Sequence, residues 1–177
     1  MFSYVFMKIL ENRPERYDTG INILSGGHAK KIRKHIVQNY VKPDMDVLDV
    51  GCGTGSLIID AAKTGARATG VDISAGMLEV AQKRISRNGM QERITLHNVG
   101  VVEIDSVFED NSFDLIISTL VFSELYYEEV ESMKESTITK LSCRNFLHQE
   151  LIVSFLKKKP EGLAFLDPHI LKTFPCS

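Results

Sequence analysis

Cysteine is scarce in this chain: Cys52, Cys143 and Cys176 are all that 177 residues contain, odd in number and far apart. No disulfide framework and no metal-ligand spacing can be built from them. An excess of charge is missing too, since 21 lysines and arginines against 23 aspartates and glutamates leave a formal net charge of −2. Nucleic acid and anionic membranes call for a basic face, so neither is expected as a partner. Nor is there an apolar run long enough to cross a bilayer. The opening MFSYVFMKIL is too short, and no small-residue cleavage site follows a basic start. These absences predict a reducing, cytoplasmic setting, no membrane, no metal and a small-molecule substrate. The length and the 44% of hydrophobic residues suit one globular domain.

What is present is an alternation of short apolar runs with amphipathic stretches. Residues 28–41, HAKKIRKHIVQNYV, set Ile32, Ile36 and Tyr40 on one stripe opposite the lysines, which predicts a helix ended by Pro43. Val47–Val50 predicts a strand buried on both faces. A helix is expected over 54–63, a strand over 67–72 and a helix over 75–87 closed by Asn88-Gly89. Strands follow at 94–98 and 113–118. Strands separated by helices imply right-handed crossovers and a doubly wound α/β sheet, with ligand at the carboxyl ends of the strands.

At one such end stands LDVGCGTGS, residues 48–56, with Gly51, Gly53 and Gly55 at every second position. A strand-to-helix turn needs residues tolerant of positive φ, and a ligand lying against it needs Cβ atoms out of the way. Helix amides beginning near Thr54 present unpaired N–H groups and the positive dipole end, which suits an anionic group. Dinucleotide sites use G-x-G-x-x-G, yet the position of the third glycine, counted from Gly51, is Ser56. Asp49 offers nothing to a pyrophosphate. An amino-acid moiety, by contrast, can set its ammonium on that carboxylate and its own carboxylate on the amides, which favours S-adenosyl-L-methionine over NAD. Asp72, 17 residues after Gly55, is placed to accept both ribose hydroxyls. Cys52 contributes backbone, and nothing nearby activates its thiol.

VLDVGCGTG, GVDIS with Met77 behind it, and FDLIISTLVFSEL together resemble the class I S-adenosylmethionine-dependent methyltransferases. Within that superfamily, RYDTGI at 16–21, GVVEID at 100–105 and STLVFSEL at 118–125 are similar to the corrinoid-protein-associated methyltransferases. The resemblance covers roughly residues 8–130. It implies a Rossmann-like, mostly parallel sheet in three αβα layers and a cofactor cradle formed by Asp49, Gly51, Cys52, Gly53, Gly55 and Asp72. Ile73 and Met77 are then expected against adenine. Val101 and Val102 would offer adenine only backbone contacts, because Gly100-Val101-Val102 lacks the acid of the family's Gly-Asp-Ala turn. Ser118 and Thr119 are expected where the methyl group meets the acceptor, and Tyr17 is expected to fold over the cofactor or to pack as a plain aromatic. Glu124 reads either as a substrate-facing base or as a first-turn carboxylate favoured by a helix dipole.

The resulting division is an N-terminal helical cap segment over 1–44, the cofactor-binding core over 45–130 and an atypical, mainly helical tail over 131–177. The resemblance ends near residue 130, so the sheet is expected to be C-terminally incomplete, with four or five strands. In the tail, Asn145–Lys158 carries Leu147, Leu151 and Phe155 at helical spacing and is expected to cover the fourth strand. KKPEGLAFLD is similar to the family's turn into a fifth strand, expected near 163–166. The tail is thus an insertion before that strand or sequence from a shifted reading frame. The expected activity is methyl transfer to a small molecule or a corrinoid-linked acceptor. A cofactor-binding but catalytically silent accessory protein, or a methyltransferase fragment, is the alternative.

Overall fold

The computed structural model describes residues 14–119 and two further strands, 146–149 and 172–174. Helix α1 (Pro14–Leu24) starts on a proline, whose missing N–H costs nothing in a first turn. It is joined to α2 (His28–Tyr40) by Gly26 and Gly27, whose φ angles of 56° and 80° are left-handed. Ile36 and Val37 form the buried face of α2, as the stripe of apolar residues demands.

Four strands follow in parallel: β1 (Asp46–Val50), β2 (Arg67–Val71), β3 (Ile94–His97) and β4 (Leu115–Thr119). Helix α3 (Ser56–Ala62) links β1 to β2, and α4 (Ala75–Arg87) links β2 to β3. A 3₁₀ turn (Val101–Glu103) and the one-turn helix α5 (Ile104–Val107) lead to β4. Beyond it, β5 (Phe146–Gln149) pairs parallel with β4, and β6 (Lys172–Phe174) pairs antiparallel with β5. The six strands lie in the order β3-β2-β1-β4-β5-β6, a Rossmann-like sheet.

β5 corrects, at 146–149, the expectation of a helix over 145–158, whose other residues lie outside those described, and with β6 it corrects the expectation of a four- or five-stranded core. Residues 146–149 are hydrogen-bonded to β4 in the register Ile116 to Phe146. A buried strand such as β4 leaves a row of unpaired backbone groups if its edge is open, and pairing that edge outweighs a helical spacing of three apolar residues. The strand expected near 163–166 and the candidate base Glu124 lie outside the described residues.

Alternate residues of the central strands supply two cores. Val47, Leu115 and Ile117 pack with Ile36, Leu57, Ile58, Leu78 and Ile85 from α2, α3 and α4. Leu48, Val50 and Ile116 pack on the other face with Val71, Ile104 and Phe113. Each fully buried aliphatic chain contributes about 1.5–3 kcal/mol by transfer from water.

Candidate functional site

Chain order leaves β1 in both directions, through β2 and β3 on one side and to β4 on the other. The carboxyl end of β1 is therefore the switch point at which an open α/β sheet forms a crevice. The glycine turn occupies it, with φ of 74° at Gly51, 53° at Gly53 and 77° at Gly55. Only glycine takes such angles without strain. The three glycines nonetheless serve different ends. A Cβ on Gly53 meets nothing within 4 Å, whereas a Cβ on Gly55 would stand 3.1 Å from Ala81 Cβ on α4. The space beside Gly53 is open, as a position facing a ligand requires, whereas Gly55 answers to φ and to the close approach of α3 and α4.

The amides of the turn are largely taken. Gly51 N and Cys52 N donate to Val71 O at 2.8 and 3.0 Å, and Gly53 N donates to Asp72 Oδ2 at 2.8 Å. An amide-lined bend is thus narrowed to the residues opening α3, whose first N–H groups have no intrahelical acceptor. Cys52 Sγ lies over Gly70 in the middle of β2, and burial, with Asp49 and Asp72 nearby, pushes its thiol well up. That thiol is inert.

Asp49 is 1% exposed, and its Oδ1 has no hydrogen-bond partner among the described residues. Burial and the neighbouring Asp72 charge push its carboxyl up to about 7. A buried carboxylate without a donor is costly, and the cost is relieved when a cation enters. Asp72 follows β2 directly. Its Oδ1 accepts from Ser74 N at 2.8 Å, while Asn98 Nδ2 holds the carbonyls of Asp72 and Ile73 at 2.9 Å each. The N-cap duty falls to Ser74, whose Oγ accepts from Met77 N. The Asp72 carboxylate is consequently a fixed acceptor beside the turn.

Ile73 is 79% exposed and Val102 59%; Ile73 Cδ1 lies 3.6 Å from where a Cβ on Gly100 would stand, and Gly100 N donates to Glu103 Oε2 at 2.8 Å. Val101 is half-buried against the second core. Met77 is buried, so Ile73 rather than Met77 presents an apolar face at this end. Ser118 is fully buried, and its Oγ donates to Val50 O at 3.2 Å. Its hydroxyl therefore ties β4 to the end of β1 instead of facing the crevice. Tyr17 is half-buried in the first turns of α1.

The next residue, Asp18, carries no signal of its own in the sequence. It accepts from Thr54 Oγ1 at 2.8 Å, from Arg84 Nη1 at 2.6 Å and from Ser56 Oγ. Arg84 Nη1 also donates to Thr54 O at 3.0 Å. Burial pushes the Asp18 carboxyl up, but bonds from Ser56 and Thr54 and the Arg84 charge together hold it below its ordinary value. Asp18 lies within RYDTGI, but its partners are 36, 38 and 66 residues away, so no local pattern marks it.

With this geometry in view, a methyltransferase domain profile matches residues 41–169. The chain belongs to the methyltransferase-domain family. It is 38% identical over 114 residues to a demethylmenaquinone methyltransferase of Symbiobacterium thermophilum, covering 62% of this chain and 43% of that protein. It is 33% identical over 164 residues to a ribosomal protein L11 methyltransferase of Nitratiruptor, covering 84% of this chain and 56% of that one. The chain spans about half the length of these curated relatives. Among solved structures, a Haemonchus contortus phosphoethanolamine N-methyltransferase in complex with phosphoethanolamine and S-adenosylhomocysteine superposes with a TM-score of 0.65. The identity there is 16%, over 83% of this chain and 31% of the other, so the likeness speaks for the fold. Among the described residues, no helix is long and apolar enough to cross a membrane.

Proposed function

We propose that the chain binds S-adenosyl-L-methionine and transfers its methyl group to an acceptor. The observation that carries this reading is the buried Asp49 carboxylate with an unpartnered oxygen, standing where β1 gives way to the glycine turn. An ammonium group satisfies that oxygen and removes the desolvation cost; a pyrophosphate would add to it. The residues opening α3 receive the α-carboxylate, Asp72 the ribose hydroxyls, and Ile73 with the Val101–Val102 turn the base. When bound, the cofactor supplies a methyl group already activated by its sulfonium. The chain's own task is then to hold the acceptor in line with that methyl and to keep water away, which demands no dedicated catalytic side chain.

Relatives named for demethylmenaquinone and for ribosomal protein L11 are both methyltransferases named for different acceptors, which supports the cofactor half more than any one acceptor. The finer reading, a corrinoid-linked acceptor, rests on RYDTGI, GVVEID and STLVFSEL. A soft corrinoid nucleophile needs no base, whereas an acceptor that loses a proton needs one such as Glu124. Titration calorimetry of the folded chain with S-adenosyl-L-methionine is expected to give saturable heat, with NADH unable to compete. Absence of heat at high ligand concentration refutes the proposal.

A further inference from the structure

The glycine turn is fastened on its outer flank by a group that the cofactor reading does not use. Thr54 lies between Gly53 and Gly55, both left-handed, so its side chain is the one handle by which that part of the turn is gripped. The handle is held twice. Thr54 Oγ1 donates to Asp18 and accepts from Arg84 Nη1, each at 2.8 Å, and Arg84 also takes the Thr54 carbonyl. Asp18 comes from α1 and Arg84 from α4, 36 residues before and 30 after Thr54. One carboxylate on three donors from two other elements is more than helix docking requires, because Ile21, 5% exposed, already anchors α1 by apolar burial.

α1 reaches the other end of the cradle as well. Pro14 Cγ lies 3.8 Å from where a Cβ on Gly76 would stand, and Gly76 opens α4 just beyond the Asp72–Ser74 loop. α1 therefore touches the turn through Asp18 and the ribose side through Pro14. We infer that Asp18 is a positioning residue for cofactor binding: through Thr54, Ser56 and Arg84 it fixes the glycine turn in its binding shape and fastens α1, with Tyr17, beside the cradle. This inference rests on the proposed cofactor. Loss of the clamp leaves the turn free to sample other φ values, so a ligand must reorder it on binding and departs faster from the loosened cradle.

The test uses the full chain, S-adenosyl-L-methionine as probe, titration calorimetry for affinity and stopped-flow competition for the dissociation rate. Asp18→Ala is expected to weaken binding at least about tenfold, with most of the change in the dissociation rate. Asp18→Asn, which keeps an acceptor and loses the charge, falls between it and the wild type. Asp60→Ala is the control: it removes the 2.8 Å Arg33–Asp60 ion pair between α2 and α3, and should lower the melting temperature while leaving affinity unchanged. Should Asp18→Ala fail to fold, the nearly isosteric Thr54→Val decides, with the same tenfold loss expected. Folded variants that bind within twofold of the wild type overturn the clamp and leave the cofactor reading standing. A wild type that does not bind overturns both.

Discussion

The two ends of the cradle are built on opposite principles. At the end we assign to the methionine moiety, Asp49 is 1% exposed and Thr54 3%, and the amides of Gly51, Cys52 and Gly53 all have acceptors. At the end we assign to adenine, Ile73 and Val102 stand 79% and 59% exposed, with no carboxylate at position 101 or 102. The difference teaches what each half of the ligand asks for. An ammonium is recognised by a charge held out of water, strong because nothing else neutralises it and costly until the ligand arrives. A flat base asks mainly for apolar contact, which exposed side chains provide without stored cost.

The sharpest way to break that contrast is to neutralise Asp49. Asp49→Asn should lower affinity for S-adenosyl-L-methionine by about 100-fold, the loss of charge-assisted bonds worth about 2–3 kcal/mol. It should also stabilise the free protein above neutrality. The wild-type carboxyl is pushed from 3.8 up to about 7 by burial and by Asp72. Between these values the folded state keeps a proton that the unfolded chain has released, so the stability of the free protein falls as pH rises through that window and levels off above it. At about 1.4 kcal/mol per unit, the full effect is on the order of 4 kcal/mol. Denaturant titrations of wild type and variant from pH 4 to 8 isolate this term, since Asp18 is common to both. Affinity runs the other way, rising up to tenfold per unit as pH approaches 7 in the wild type and staying flat in the variant.

A second break, of about 1–3 kcal/mol, tests how tightly the buried end is packed. Gly70 sits mid-strand in β2, and a Cβ there would stand 2.7 Å from Cys52 Sγ and 2.9 Å from Ile58 Cδ1. Both side chains are buried, so Gly70→Ala forces the turn or α3 to shift. A drop of several degrees in melting temperature is expected. Adding Cys52→Ala removes the nearer clash and should recover part of the loss. Equal melting of Gly70→Ala and wild type would show slack where the structure has none.

The same contrast separates what was legible in the sequence from what was not. β1, the glycine turn, β2 and α4 were predicted to within two residues of their observed bounds, because each is signalled by neighbours: a continuous apolar run, left-handed glycines, a serine cap, an Asn-Gly stop. Asp49 and Asp72 were legible for that reason also, as carboxylates at strand ends beside the turn. Asp18 was not, since its partners lie 36, 38 and 66 residues away. Gly70 likewise looks like an ordinary weak strand residue until Cys52 and Ile58 are folded onto it. Residues 146–149 differ from expectation for the complementary reason: the spacing of Leu147, Leu151 and Phe155 that suggests a helix is local, while the edge of β4 with which 146–149 pair is remote in sequence.

The smallest expected effect lies at the open end, and it sharpens the comparison most directly. Ile73→Ser removes an aliphatic side chain that is 79% exposed in the free protein, so folding should be nearly unaffected. Its contribution comes only when a base covers it. Burying part of that side chain is worth about 1 kcal/mol, or roughly fivefold in affinity. Calorimetry with S-adenosyl-L-methionine should find that loss, together with a less negative heat-capacity change of binding. A methionine derivative lacking the base should bind wild type and Ile73→Ser alike, yet still distinguish Asp49→Asn from both. If the base-free ligand also senses Ile73, the two ends are coupled through the loop that Asp72 and Asn98 hold, and apolar contact at one end becomes a way of tuning the charge at the other.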